Sequence, residues 1–464
     1  MVKDSVGTFI TKVIVLFLSV LVSILLNKSL GPAGRGQLAV VVLIPQILWV
    51  LGSLGLDYSN IFYAGKNKER IPTIATNSVW LGLGLGFVCI AMVMLVWGII
   101  SLFDPTINKF LLDVPKYYFV VMLLTVPPYL VAYFLDSAIY GMNKIHVRNI
   151  KEIVTNVLLL ILTVIVVTDP SKEAPFVHRS FGFGLNMGIY GASITQLFYA
   201  LFMMVYSLIL IRRFTKWEFK GLDWDFFVKG IKHVGFYAYG ATAATFLFHR
   251  IGIFIITYFI GSRHILTKTD LGLFANATYI TEKLMFIPGA IAYALLPKIT
   301  AQDPEEAKSI TAKASRHTFL LTSVVLGALC IFISPILVIL YGKEFEGAKY
   351  PFWMLAPGVL LLSVGRIYST HLFGIGKAFY AFYYSIITLI LNIILNIILI
   401  PIWGINGSAI ATSIAYGFQS VLMYHAFWRE TKIPMSELIV LRRSDLEVYA
   451  RGINELRKYL SRRK

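Results

Sequence analysis

Nine polar side chains stand within long apolar runs of this chain, and their types define a narrow chemistry. Arg250, Lys283, Arg366 and Lys12 are cationic. Glu282 and His249 sit beside two of them, and Tyr279, Asn276 and Tyr239 add amide and hydroxyl groups on the same two runs. An ionised side chain at the centre of a bilayer costs at least about 2.5–3.5 kcal/mol, so each must be paired or face water. Four cations against one carboxylate suit an anionic ligand, and the arginine fork matches paired phosphate oxygens. Glu282 and His249 are the groups able to exchange a proton near neutral pH in such surroundings, which makes them candidates for ion coupling. A second reading stays open beside this one. Glu282 neutralises Arg250 or Lys283 across a helix contact, and Lys12 and Arg366 snorkel toward the interface on their long stems.

The elements that must hold these groups follow from composition. Of 464 residues, 57% are hydrophobic and only 14% charged, against about 25% charged in ordinary soluble domains; the mean hydropathy is +0.74. That excludes a soluble enzyme, a disordered chain and a disulfide scaffold, and leaves a polytopic membrane protein. Apolar runs long enough to cross a bilayer occur at 6–27, 38–60, 79–101, 117–140, 150–168, 188–211, 234–260, 271–297, 317–341, 352–373, 380–400 and 407–428. The expected fold is therefore all-α with about twelve membrane-spanning helices. The first run lacks a small-residue cleavage site and reads as a retained span.

The net charge of +18 has a topological explanation. Of the 42 Lys and Arg, 28 fall on the loops that share a side with both termini, 10 on the opposite loops, and four within spans. By the positive-inside rule both termini are cytoplasmic, and nucleic acid is not an expected partner. Arg250 and the Glu282–Lys283 pair lie at similar depth, about 15–18 Å from the outer ends of their spans. Polar stripes reinforce the placement: Gly235, Tyr239, Thr242, His249 and Gly252 on the seventh span, and Asn276, Tyr279, Glu282 or Lys283, and Tyr293 on the eighth. Lipid-facing helices need no such stripes, so both are expected to line a cavity.

The chain repeats itself weakly. Gly141-Met142-Asn143-Lys144 ends the fourth span and Gly374-Ile375-Gly376-Lys377 the tenth; Gly188-Ile189-Tyr190-Gly191 begins the sixth and Gly404-Ile405-Asn406-Gly407 the twelfth. Arg35-Gly36-Gln37-Leu38-Ala39 likewise answers Asp270-Leu271-Gly272-Leu273-Phe274-Ala275. Six spans per repeat make a parallel pseudo-two-fold, with a substrate site expected between the lobes near the midplane. The domains are an N-lobe at 1–211, a cytoplasmic linker at 212–233, a C-lobe at 234–428 and a basic tail at 429–464. In the tail, Ser444 and Glu447 fit a capping box, and Leu446, Tyr449, Ile453, Leu456 and Leu460 recur at helical spacing. This predicts an amphipathic helix on the anionic inner leaflet or a solvated one. Asp57 and Asp136 read as interfacial caps or gate contacts, Asn392 and Asn396 as helix-to-helix glue, and Cys89 and Cys330 as packing residues. Pro127-Pro128, Pro288-Gly289, Pro297 and Pro357-Gly358 are hinges or static kinks. Metal-ligand spacings and a phosphate-binding nucleotide loop are absent from the sequence.

Several motifs together resemble the multidrug/oligosaccharidyl-lipid/polysaccharide (MOP) exporter superfamily, and within it the polysaccharide flippases of the O-antigen and capsule type. They are Leu30-Gly31-Pro32-Ala33-Gly34-Arg35-Gly36, Leu295-Leu296-Pro297-Lys298, Tyr341-Gly342-Lys343-Glu344-Phe345, Gly374-Ile375-Gly376-Lys377, and the run from Asn392 through Asn396 and Ile400-Pro401-Ile402-Trp403-Gly404 to Thr412. Twelve spans fit that branch, whereas the related peptidoglycan-precursor flippases usually carry two more. The drug-exporting branch typically has an acidic residue in its first span, where this chain has Lys12. The resemblance implies an alternating-access flippase of a multi-pass cell membrane, and no enzyme. It would carry polyprenyl-pyrophosphate-linked oligosaccharide outward, with Arg250, Lys283, Arg366 and Lys12 toward the pyrophosphate and Tyr279, Asn276 and Tyr239 toward sugars. It implies no cofactor beyond H+ or Na+ coupling, and as partners the lipid-linked oligosaccharide, membrane lipids and the polysaccharide polymerase and assembly machinery. The alternative on the same fold is an ion-coupled exporter of drugs or small metabolites.

Overall fold

The computed structural model describes residues 2–103, 112–171, 184–215, 236–263 and 265–442, with Trp217, residues 221–225, Val228 and Asp445. The helix expected from Ser444 onward, and most of the linker between the lobes, lie outside the described residues. Among the described residues the elements are helical throughout. The first half holds α1 (Val2–Gly52), α2 (Leu56–Lys66), α3 (Ile71–Phe103), α4 (Lys116–Leu123), α5 (Val126–Gly141), α6 (Ile145–Leu162) and α7 (Gly188–Phe214). The second holds α8 (Phe236–Tyr258), α9 (Lys268–Leu284), α10 (Phe286–Ala301), α11 (Pro304–Tyr341), α12 (Lys349–Gly374), α13 (Phe379–Thr431) and α14 (Met435–Ile439).

Ten described stretches are helical, long and apolar enough to cross a membrane. Two of them are double. With 51 and 53 residues, α1 and α13 are about twice the length a bilayer needs, and each turns at one glycine: Gly31 at φ 66° and Gly404 at φ 59°. The ten stretches thus make the twelve crossings of two six-helix lobes, and the protein is a multi-pass membrane protein. Where helix and apolar run differ, the reason is physical. Helix α11 starts at Pro304, behind Asp303, well before its apolar run at 317, because its first turns are a polar extension outside the membrane part. Pro127 and Pro288 follow breaks at 124–125 and 285 and restart helices, where a missing amide proton costs nothing. Pro297 and Pro357 stay within continuous helices.

The repeat has a conformational basis. Gly188 and Gly404 share a left-handed φ of 57° and 59°, and Asn143 and Gly376 do so at 59° and 78°. Repeat-related Gly36 and Gly272 pack against each other where the lobes meet on the side away from the termini. A Cβ on Gly36 would strike the Lys268 carbonyl, and one on Gly272 the Pro32 carbonyl. In lipid no hydrophobic force presses helices together, so close backbone approach at small residues does this work. The largest buried cluster joins Ile24, Val40 and Leu43 of α1 to Phe248, Phe274 and Phe352 of the C-lobe.

Further lobe contacts are polar. On the same side as Gly36 and Gly272, the Asn27 and Asn276 amides bond each other reciprocally at 2.8 and 3.3 Å. On the side of the termini, Tyr58 meets Thr242 at 2.9 Å, Tyr239 donates to the Leu51 carbonyl at 2.7 Å, and Tyr140 meets Tyr293 at 2.9 Å. Below the C-lobe, Arg316 of α11 holds Asp445 through two nitrogens at 2.5 and 3.1 Å and donates to the Glu437 carbonyl. That guanidinium holds the Asp445 carboxyl down to about 2, so the tail contact is charged at any working pH.

Candidate functional site

Three helix features open one cavity. The break at Met285 lets α9 and α10 diverge, the double helix α13 returns its second arm beside α8, and α12 closes the side. The cavity measures about 730 Å³ and is walled by α8, α9, α10, α12 and α13, with Tyr58 of α2 reaching in from the N-lobe. It therefore lies almost wholly within the C-lobe and not midway between the lobes. The tyrosine contacts on the side of the termini draw the lobes together beside it.

Four of the nine expected residues meet on this wall: Arg250, Glu282, His249 and Arg366. Arg250 grips Glu282 as a fork, Nη1 to Oε1 at 2.7 Å and Nη2 to Oε2 at 3.3 Å. Its guanidinium also lies 5.7 Å from the Phe246 ring. His249 Nδ1 lies 2.7 Å from the Thr245 carbonyl oxygen, and its ring packs against Tyr416 at 5.3 Å. Arg366 differs from Arg250: it faces the open cavity and has no hydrogen-bond or ion-pair partner among the described residues. Two arginines against Glu282 leave the wall one formal positive charge.

The other five expected residues do not line the cavity; neighbouring helices engage four of them, and Lys283 lies over a ring of its own helix. Lys12 pairs with Glu152 of α6 at 2.5 Å. Lys283, one residue beyond Glu282, turns about 100° away and sits 4.7 Å over the Tyr279 ring. The Tyr279 hydroxyl donates to the Ser19 carbonyl of α1 at 2.7 Å. Asn276 and Tyr239 are the lobe contacts described above. Asp57 accepts from Tyr133 at 2.9 Å, and Asp136 holds Lys151 and Ser207 in the N-lobe instead of capping an interface. Asn392 donates to the Phe248 carbonyl, and Asn396 bonds Asn392 and Ser408. Groups of three or more metal-ligating side chains are absent among the described residues.

The sequence reading missed part of the wall. Tyr416, Gln419, Ser420 and Met423 of α13 all face the cavity, with Ser385 opposite. Ser385 links Thr245 at 3.0 Å to Gln419 at 3.2 Å. The signal was present: 416, 419, 420 and 423 follow helical spacing within an otherwise apolar run. The wall thus combines two guanidinium groups, hydroxyls and the Gln419 amide with aromatic faces, an arrangement able to hold an anion next to a polyhydroxylated group.

Residues 63–447, more than half of the chain, match the family model of the lipid II flippase MurJ. A curated relative, the probable low-salt glycan biosynthesis flippase Agl15 of Haloferax volcanii, is 28% identical over 164 residues. The match takes in 34% of this chain and spans 35% of that relative's length. Among solved structures, a lipid II flippase MurJ in an inward closed conformation is similar with a TM-score of 0.69 and 18% identity, over 94% of this chain and 89% of that one. An outward-facing multidrug resistance MATE family transporter of the MOP superfamily gives 0.61 and 17%, over 93% and 95%. At these identities the two structures speak for the fold, which is that of the MOP superfamily.

Proposed function

This chain belongs to the lipid II flippase MurJ family, and on that premise we propose that it moves polyprenyl-pyrophosphate-linked oligosaccharide from the cytoplasmic to the outer leaflet by alternating access. The observation that carries the reading is Arg366: an unpaired guanidinium on the wall of a cavity of about 730 Å³, with a second arginine on the same wall. That volume is in the range of ligand pockets. A cation that faces water in a membrane protein without a counter-ion is placed to receive one, and a pyrophosphate linker is a doubly suitable partner for two forks. The tyrosines and the Gln419 amide of the wall suit the sugar next to it. An exporter of small cations would need an acidic wall, and this wall is net positive.

The remaining parts of the reading follow from it. The 28:10 distribution of Lys and Arg puts both termini in the cytoplasm. The chain makes and breaks no covalent bond in this cycle and uses no cofactor; H+ or Na+ coupling through Glu282 or His249 supplies the direction. The polymerase and assembly machinery that consume the flipped lipid are its partners outside the membrane core.

The test follows lipid-linked sugars in cells lacking the gene, using labelled sugar and lipid extraction. Pyrophosphate-linked oligosaccharide is expected to accumulate facing the cytoplasm, and the identity of the accumulated lipid separates a peptidoglycan precursor from a polysaccharide repeat unit. A wild-type copy clears it. An Arg366→Ala copy clears it about ten- to a hundredfold more slowly, as loss of a charged hydrogen bond predicts. Normal surface glycan with no accumulation would sink the proposal.

A further inference from the structure

Resting on that reading, we infer that Glu282 is a built-in competitor of the substrate: its carboxylate holds the Arg250 fork when no anion is bound and yields it to a phosphate. The two arginines of the wall are not equivalent. Arg366 is open, whereas Arg250 is already engaged by two oxygens at 2.7 and 3.3 Å. Both members of that pair line the cavity and keep 21% and 29% of their side-chain surface accessible, so a ligand can reach the contact itself.

The pair is also incomplete. The Arg250 Nε is buried and has no acceptor among the described residues. A carboxylate meets the two Nη groups with two oxygens and one negative charge; a phosphate offers them the same pair of oxygens with more charge. Among the described residues the Glu282 carboxylate has no hydrogen-bond partner besides Arg250. Its neighbour Lys283 is turned onto Tyr279 and acts on the carboxylate through charge alone. An anion taken up by Arg366 therefore shares the cavity with a second cation whose present partner is the weaker fit.

The arrangement has a physical purpose. Two bare guanidinium groups on one wall would repel each other and cost desolvation energy in the membrane. They would also bind a pyrophosphate too tightly to release it on the far side. A resident carboxylate reduces both effects, because every anion that binds Arg250 must displace it.

The sign of the Glu282→Gln effect separates this role from a structural tie. Removing a tie weakens the site, whereas removing a competitor tightens it. Full-length protein in phosphatidylcholine nanodiscs is titrated with inorganic pyrophosphate at fixed salt. Glu282→Gln is expected to bind about tenfold more tightly than wild type, the scale of one charged hydrogen bond. The gain should vanish in Arg250→Ala/Glu282→Gln. In the flipping assay Glu282→Gln should lower kcat and KM together, which loss of structure would not do. If that variant fails to fold, Glu282→Asp, one methylene shorter, should show an intermediate gain. Unchanged or weaker pyrophosphate binding in the folded Glu282 variant overturns the inference. When Arg366→Ala abolishes binding in the same experiment, only the role of Glu282 falls. When Arg366→Ala binds as wild type does, the reading of the cavity falls and this inference with it.

Discussion

Most charges inside this membrane protein are placed by a particular neighbour, Arg366 being an exception, and adjacent residues on one helix can serve different ones. Lys151 and Glu152 of α6 point about 100° apart. Lys151 turns to Asp136, at 2.6 Å, and to Ser207, while Glu152 turns to Lys12. One helix thereby ties α5 and α7 on one flank and α1 on the other. The Lys151 side chain is 2% exposed and that of Asp136 18%, so without the lysine the carboxylate would be only partly open to water. Lys151→Met should destabilise the protein by about 3–5 kcal/mol, because Asp136 is left as an uncompensated charge. The double variant Lys151→Met/Asp136→Asn should recover most of that loss. Thermal unfolding of the purified protein in detergent checks both, and equal damage from the single and the double variant would contradict the pairing.

At the scale of elements, backbone approach matters more than apolar burial. The start of the second crossing and the start of the eighth meet through Gly36 and Gly272, and each occupies space a methyl group would need. Gly272→Ala should cost at least about 1–3 kcal/mol by overpacking and should loosen the lobe contact. Gly84→Ala on α3 is the control: nothing lies within 4 Å of the added methyl, so stability should stay level or rise slightly. A melting-temperature comparison of the two variants decides the matter. Similar shifts for both would remove the special role of the Gly36–Gly272 contact.

At the scale of the whole molecule, the lobes are joined at both ends of the cavity. The Asn27–Asn276 pair and the two glycines hold one end, and three contacts made by four tyrosine hydroxyls hold the other. Alternating access, as proposed here, requires these two sets to break in turn. Tyr58 and Thr242 are the pair to test, since both also line the cavity. Cysteines at these two positions, in a chain whose Cys89 and Cys330 are replaced, should be joined by a short reducible thiol cross-linker. Flipping should stop on linkage and return on reduction. Full flipping by the linked protein would show that this contact does not open during the cycle.

The apolar runs determine the twelve crossings by themselves, since a bilayer demands length and hydropathy that local residues alone supply. The repeat is legible too: turns such as those at Gly188 and Gly404 need a left-handed backbone, and residue type records that need locally. The family resemblance at superfamily level was carried by the same motifs. What stands beside most charges was not legible, although the Glu282–Arg250 contact was one of the pairings the sequence left open. Lys12 and Glu152 are 140 residues apart, and Asn27 and Asn276 are 249. Only packing brings them together, and so only the tertiary structure separates Arg250, engaged by Glu282, from Arg366, open to the cavity. A one-dimensional stripe shows that a helix has a polar face. Whether that face meets water or another helix depends on which surfaces two distant segments bury against each other.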